Sequence, residues 1–470
     1  MRTTLSESVT PSQVRSPDRY GTGIYSSFVE GLVLPFGDFA LRTSVTRKLR
    51  EYRELQWRSR EELERVQSER LRSLLAHAKR NIPFFGEVGF DEAGDPRDEI
   101  RKFPILTKPI VRENLEALLA VDKKRLIETA SSGSSGVQGV VYYDRHELST
   151  ERAIQLLWME WAGYRTGVPV VQTGMTLKRG LVKIIKDRVF RTDYFAAYRL
   201  EGDRILGKLR EIREAKGRIR HLMGYASSLY LFACTAQENR VDDIQFDSVV
   251  SWGDKMFPHY RALIEEQFGT RVFDTYGCTE GCMIAAQCER GSYHIMSPQV
   301  YLEILDQNGN PVEPGELGSV VVTRLDNYSM PLIRYYLGDL AGTEPARASC
   351  ECGRHLPLLK SLIGRDTDIV RTRSGKQMIV HFFTGILEHY PEISQFRVVQ
   401  RTLDEIEIEC VPGPGFSTEV TAGIRAQITG HLEEEFSVKF REVGEIPVTA
   451  SGKPQIVASM LPQEQDASGS

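Results

Sequence analysis

The chain has 470 residues, and 60 Lys and Arg stand against 64 Asp and Glu, a net charge of −4. With 41% hydrophobic and 26% charged residues, it reads as a globular protein of about two to four domains, which excludes a disordered chain. The near-balanced charge excludes a strongly basic nucleic-acid binder. The 7 cysteines are an odd, uneven set, which points to reduced thiols or a metal site rather than a disulfide framework.

The first twenty residues have no apolar core and no small-residue cleavage pattern, so they do not read as a secretion signal. The run IYSSFVEGLVLPFGDFAL carries Glu30 and Asp38 and is interrupted by Pro35 and Gly37. A span needs about 20 mostly apolar residues. The run therefore reads as a helical packing surface, with membrane docking as the alternative and no integral membrane segment. The expected location is the cytoplasm.

From Thr46 to Lys79, apolar residues at helical spacing (Leu55, Leu63, Val66, Leu71, Leu74, Leu75, Ala78) predict amphipathic helices. Strand-like Leu126–Ala130 and Val140–Tyr143 flank a small-residue loop, Ser131-Ser132-Gly133-Ser134-Ser135-Gly136, which is expected to join them. Glycines with successive N–H groups and hydroxyls can ring a phosphate. A Gly/Ser run is also a common linker, but this one lies between strands. It lacks the Lys-Ser/Thr ending of a Walker loop.

Strands and helices then alternate. The expectation is a helix from Glu147 to Tyr164, then strands at Pro169–Gln172, Leu222–Gly224, Ser248–Trp252 and Arg271–Tyr276, with helices at Ser227–Ala236 and Pro258–Phe268. That pattern predicts a parallel sheet covered on both faces, with ligands beyond the carboxyl ends of its strands. Asp274-Thr275-Tyr276-Gly277-Cys278-Thr279-Glu280 falls at such an end. Its carboxylate and hydroxyl suit Mg²⁺ shared with phosphate, although a plain turn has the same composition.

Near Ile295 the pattern becomes antiparallel β. Arg334-Tyr335-Tyr336-Leu337-Gly338-Asp339 and Gly364-Arg365-Asp366-Thr367-Asp368 follow. After Gly364 a hairpin around Ser374-Gly375, a strand pair and a helix from Val420 to Phe436 predict an α+β domain of about 100 residues. Thr449-Ala450-Ser451-Gly452-Lys453-Pro454 places a Lys on a glycine-bordered loop, where it can act as a point charge. The tail PQEQDASGS is polar and reads as disordered.

These four segments, in this order, resemble the adenylate-forming superfamily of acyl-CoA ligases. The resemblance runs from about Leu71 to Ile456 and is closest to the phenylacetate–CoA ligase and capsule-biosynthesis-like subgroup. Arg70-Leu71 to Ile82-Pro83-Phe84-Phe85, Phe103-Pro104-Ile105-Leu106-Thr107-Lys108 and His221-Leu222-Met223-Gly224-Tyr225-Ala226-Ser227 resemble that subgroup's own segments.

The resemblance implies an α/β fold with a large N-terminal region, a small antiparallel β subdomain and a mobile α+β C-terminal lid. The divisions would be a helical extension over residues 1–80, the large region over 81–364, the lid over 365–460 and the tail from 461. It implies that a carboxylic acid attacks Mg·ATP to give an acyl-adenylate, and that CoA then displaces AMP. Another acceptor (amine, hydroxyl or carrier-protein thiol) is the alternative, and a non-catalytic nucleotide binder is a further one. A homodimer is compatible with either.

Residue by residue, the resemblance gives Ser131–Gly136 to the pyrophosphate end of ATP, Thr279 to a phosphate oxygen and Glu280 to Mg²⁺. It gives Tyr276 to the adenine, Gly277 to the nucleotide site, Asp339 to the ribose, Arg365 to the ribose or α-phosphate, and Lys453 to the carboxylate and α-phosphate. Asp368 would be the hinge, and Asp254 stands where the family commonly has Glu. Tyr225, Ser227, Trp252 and Met256 would line the acyl pocket. Two departures stand out: Val137-Gln138 replace the usual Lys-Pro after the loop, and Ala226 replaces a common Pro. Some members of the subgroup carry a zinc site. Cys288, His294, Cys350 and Cys352 would form a Cys₃His set here, with Cys282 as the reserve ligand.

Overall fold

The computed structural model describes residues 23–461 apart from 131–139, 175–179, 197–201, 254, 366–369, 375–376, 379–382, 384–385, 388, 431, 433–434 and 448–455. Strands β1 (Ile127–Ala130) and β2 (Val140–Tyr143) form an antiparallel hairpin pairing Ala130 with Val140. The Ser/Gly loop therefore joins two strands, as the flanking β-branched and aromatic residues predict.

The centre is an eleven-stranded mixed sheet. Its parallel half contains β3 (Val170–Gly174), β4 (Thr192–Ala196), β5 (His221–Tyr225), β6 (Ser248–Trp252) and β7 (Val272–Gly277). The runs Val170-Val171, Leu222-Met223, Val249-Val250 and Val272-Phe273 at their centres and starts are apolar on both faces because both faces are covered. Val171, Leu222, Val249 and Val272 face helices Gly202–Glu214, Ala226–Glu238 and Pro258–Phe268. Their alternate neighbours Val170, Met223, Val250 and Phe273 pack against Met159 and Tyr164, at the end of helix Arg145–Trp161.

At β7 the sheet changes direction. Strand β8 (Met283–Gln287) runs antiparallel to it, followed by β9 (Tyr293–Ile295), β10 (Val300–Leu305), β11 (Gly318–Arg324), β12 (Tyr335–Thr343) and β13 (Leu358–Arg365), in the order β10-β11-β12-β13-β9-β8-β7. The expected antiparallel region is thus hydrogen-bonded into the parallel half. The reason is the tight turn after Gly277, which returns the chain beside β7 instead of starting a new sheet.

Helix Arg60–Asn81 begins on a capping box at Ser59 and Glu62, which satisfies its first N–H groups. It buries Leu71, Leu74, Leu75 and Ala78 against Val300, Val320 and Ile333. The division expected at residue 80 therefore falls within a shared core. Run Ile24–Leu41 is helical throughout, through a π-helical turn at Val29–Val33. Pro35 lies in the first turn of the following α-segment, where its missing N–H is tolerated. Only 11% of the run is buried, so it is less a packing surface than its sequence suggests.

Beyond β13, β14 (Val370–Arg371) pairs with β15 (Gln377–Met378) as the predicted hairpin. Strands β16 (Ile393–Thr402), β17 (Glu405–Pro412), β18 (Ser437–Glu442) and β19 (Val457–Ser459) form a second sheet in the order β18-β17-β16-β19. The helix beside it is Thr418–Gly430. Its span ends at Gly430, short of Phe436. Ile424 and Ile428 pack on Val398, Ile406 and Val457, and Phe257 joins this cluster from the large region.

Candidate active site

Strand β7 ends at Tyr276-Gly277, and the chain turns through Cys278–Cys282 into β8. The turn closes on two backbone hydrogen bonds, Cys278 N–H to Cys282 O at 3.0 Å and Gly281 N–H to Cys278 O at 3.0 Å. Gly281 has φ +76°, and a Cβ there would stand 1.9 Å from Arg324 Nη1. Only glycine fits between that backbone and the guanidinium beneath. Arg324 itself is fully buried, donates to Asp326 at 3.0 Å and to Glu147 O at 2.7 Å, and lies 4.9 Å from the Tyr143 ring centre.

Glu280, at the tip of this turn, is only 3% exposed. Tyr335 donates to its Oε1 at 2.9 Å and Thr279 Oγ1 to its Oε2 at 3.2 Å. Burial and the neighbouring Glu280 charge push the Tyr335 hydroxyl far above its usual range, so it stays a donor. Tyr143 donates to the Thr279 carbonyl at 2.9 Å. That bond ties the base of the β1–β2 hairpin, and so the flanks of 131–139, to the Thr279–Glu280 turn.

One strand holds two of these groups. Tyr335 and Asp339 both lie on β12, and Tyr276 donates to Asp339 Oδ2 at 2.8 Å. The register between β12 and β13 shifts just after Asp339, whose backbone partner is Arg365. Irregular registers of this kind re-aim side chains beside active sites. A carboxylate fixed by two donors and a second carboxylate beside a tyrosine thus line the carboxyl edge of the sheet. Oxygen ligands in that arrangement suit Mg²⁺ and phosphate at the first, and hydroxyl donors at the second.

Tyr276, Gly277, Thr279, Glu280 and Asp339 are thereby brought together. Ser131–Gly136, Asp254, Asp368 and Lys453 lie outside the described residues, and only the backbone of Ser227 and of Arg365 is described. Tyr225 and Trp252 are register partners at the ends of β5 and β6. Gly253 at φ +82° leaves room for the Tyr225 ring, which a Cβ would meet at 2.4 Å. Met256 does not join them. It packs against the cluster that holds Leu229, Phe232 and Ile264, whereas Trp252 packs against the one that holds Val250 and Phe273. Sequence reasoning missed Tyr143 and Arg324 and did not single out Tyr335, because no local pattern marks a residue that acts through a distant turn.

A second constellation is the cysteine–histidine set. The ligand atoms of Cys288, His294, Cys350 and Cys352 all lie within 4.8 Å of one another. Cys288 Sγ is 3.7 Å from Cys350 Sγ, and Cys352 Sγ is 3.2 Å from His294 Nε2. A tetrahedron with Zn–S of about 2.3 Å has S···S edges of ~3.8 Å, so the residues fit that ion. His294 Nδ1 lies 3.3 Å from the Leu356 carbonyl, the outer-shell bond that fixes a ligating tautomer. Arg290 and Arg354 N–H donate to Cys288 and Cys352 Sγ at 3.3 and 3.4 Å. Hydrogen bonding from Cys288, and from His294, holds the Cys352 thiol well below its usual range. Cys288 belongs to this set and Cys282 does not.

The fold is that of the adenylate-forming ligases, the class predicted by the sequence motifs. It superimposes on 2-hydroxyisobutyryl-CoA ligase, solved in the postadenylation state with 2-HIB-AMP, at a TM-score of 0.65 and 19% identity, covering 85% of this chain and 89% of that one. Within that class, the sequence relatives are those of the expected subgroup. A phenylacetate–coenzyme A ligase of Thermus thermophilus is 25% identical over 78% of this chain and 85% of its own length. The protein CapK of Staphylococcus aureus is 22% identical over 84% of this chain and 89% of its own. No protein-family model matches the chain.

Proposed function

We propose that this protein is an AMP-forming acid–CoA ligase, with an aromatic or arylacetic acid as substrate. The observation that carries this is the joint placement of Glu280, under Tyr335 and Thr279, and of Asp339, under Tyr276, at the carboxyl edge of the sheet. A carboxylate oxygen attacks the α-phosphorus of ATP and pyrophosphate leaves. The thiol of CoA then attacks the acyl carbon and AMP leaves. Negative charge grows around the phosphorus in the first step and must meet fixed cations and donors.

In this reading Glu280 holds Mg²⁺, and Thr279 donates to a phosphate oxygen. Tyr276 packs on adenine, and Asp339 accepts from the ribose hydroxyls. Ser131–Gly136 wrap the pyrophosphate end from the hairpin that Tyr143 ties to the turn. Lys453 bridges carboxylate and phosphate, Arg365 serves the ribose side and Asp368 serves as the hinge of a lid over 365–460. Cys288, His294, Cys350 and Cys352 hold a structural zinc that stabilises the fold without taking part in the reaction. None of the seven cysteines is in a disulfide, which suits a reducing cytoplasm.

The test is acid-dependent ATP–pyrophosphate exchange over a panel of aromatic and aliphatic acids, with products weighed with and without CoA. Exchange with an arylacetic acid and a CoA thioester product is expected. No exchange with any acid would sink the reading, and a CoA-independent amide or ester would replace CoA by another acceptor.

A further inference from the structure

Helix Ile24–Leu41 is the one stretch among the described residues long and apolar enough to cross a membrane, with a mean hydropathy of 1.2. It lies along the protein instead of inside it. Ile24 is 92% exposed, Phe36 68% and Phe39 84%, and Phe28 and Leu32 are exposed as well. These five recur every three to four positions and so form one stripe. The run's two acids are engaged elsewhere. Glu30 pairs with Arg53 at 3.0 Å, and Asp38 accepts from Thr43 Oγ1, Val45 N and Thr46 N at 2.6, 2.9 and 2.7 Å. The outward stripe therefore carries no charge.

A second helix with exposed apolar residues touches the start of this one. Helix Leu181–Phe190 exposes Leu181, Ile184 and Ile185. The two helices meet where Tyr25 donates to the Val189 carbonyl at 2.8 Å and the Arg191 guanidinium covers the Tyr25 ring at 3.7 Å. Val29 is fully buried, and both Val29 and Tyr25 lie against Gly167, whose φ is +91°. The stripe is thus held in place from its inner side. The second helix and its cap carry exposed Lys183, Lys186, Arg188 and Arg191 against the single acid Asp187, in a chain whose net charge is −4.

We propose that this double-helix surface docks the enzyme on an anionic lipid bilayer, lying in the interface with its phenylalanines and isoleucines in the acyl boundary. An apolar stripe with a cationic border is the pattern of interfacial helices, and basic residues beside it are drawn to anionic headgroups. Charge favours this occupant, because the exposed Lys183, Lys186, Arg188 and Arg191 complement anionic headgroups. A run of 18 residues is about 27 Å long, so lying flat it presents the whole stripe at one depth. The proposal does not rest on the ligase reading.

The experiment is co-sedimentation of the full chain with vesicles of phosphatidylcholine, with and without phosphatidylglycerol. Binding to the anionic vesicles, released by high salt or alkaline carbonate, is expected. Phe36→Ser with Phe39→Ser, and separately Ile184→Ser with Ile185→Ser, should abolish it at an unchanged melting temperature. Lys183→Glu with Arg188→Glu should weaken it on the order of tenfold or more. The proposal is overturned if the chain stays in the supernatant with both vesicles, or if all three pairs bind like the parent. It is equally overturned if the membrane-bound chain resists carbonate, which would mean a spanning helix. Sedimentation equilibrium showing a dimer that the serine pairs dissociate, without vesicle binding, would assign the surface to self-association instead.

Discussion

Tyr276 donates its phenolic hydrogen bond to Asp339 at 2.8 Å. The two residues sit on different strands, β7 and β12, with three other strands between them in the sheet order. The bond fixes an aromatic ring and a carboxylate as one unit at the edge where a nucleotide would lie. Asp339→Ala should raise the KM for ATP on the order of tenfold or more, since hydrogen bonds to charged groups contribute about 1.5–3 kcal/mol. Tyr276→Phe should raise it less, because Asp339 keeps its remaining contacts. Exchange kinetics at varied ATP measure both, and an unchanged KM in Asp339→Ala would remove Asp339 from the nucleotide site.

Tyr335 supports Glu280 from the same strand. Tyr335→Phe leaves a buried carboxylate one donor short, at a cost of about 1–3 kcal/mol. The Mg²⁺ concentration for half-maximal exchange should rise, and the melting temperature should fall by a few degrees, on the order of what ~1 kcal/mol removes. Glu280→Gln should lose most of the exchange at every Mg²⁺ concentration. A Tyr335→Phe variant with parental Mg²⁺ dependence would show that Tyr335 does not position Glu280.

The two half-reactions should separate at Lys453. Lys453→Ala is expected to abolish adenylation while thioester formation from supplied acyl-adenylate continues, since a rotating lid presents different faces in the two steps. Single-turnover assays of each half-reaction decide this. Equal losses in both would argue against a two-position lid.

The cysteine–histidine set should carry about one zinc per chain, measured by elemental mass spectrometry on protein purified without chelator. Cys352→Ser should lose the metal and lower the melting temperature, with the parental KM for ATP retained. Arg354 joins this knuckle to the N-terminal helices: it lies 4.7 Å from the Trp57 ring centre and 4.6 Å from that of Trp161. Chelation should therefore expose the buried Trp161 and change the tryptophan fluorescence. A metal-free parent of unchanged stability would dismiss the site.

His221 makes stability depend on pH. It is buried, lies 2.9 Å from Ser248 Oγ, and packs edge-on against Tyr164. Burial, with a smaller effect of Arg220, pushes its pKa down to about 3. The unfolded chain takes up this proton as pH falls through about 6.5, and the folded chain does not. Stability from this group is thus full above about pH 6.5 and declines below it, by at most about 1.4 kcal/mol per pH unit. Urea unfolding at about pH 7.5 and about pH 5 should show the decline, and His221→Gln should flatten it. Parallel pH curves for parent and variant would count against this role.

Much of this architecture is legible in the residue pattern. Short apolar runs such as Ser248–Trp252 need no partner to be read as strands covered on both faces, because their composition reflects where both sides end up. The Asp274–Glu280 turn, the Asp339 strand and the Cys288, His294, Cys350 and Cys352 set are also visible, since each depends on residue types at short spacing. Helix Ile24–Leu41 was readable as a helix but not as an exposed one, since apolar composition says nothing of which side stays uncovered.

By itself, then, the sequence determined the fold, the order of its motifs and the members of the cysteine–histidine set, all of which depend on local pattern. Tertiary structure alone decided that Tyr335 and Tyr276 reach Glu280 and Asp339 from strands far apart in sequence. It also decided that four cysteine and histidine side chains separated by up to 64 positions converge within 4.8 Å, and that one helix keeps its apolar stripe bare. Those relations arise from the pairing of distant strands, and no stretch of chain carries the register that sets them.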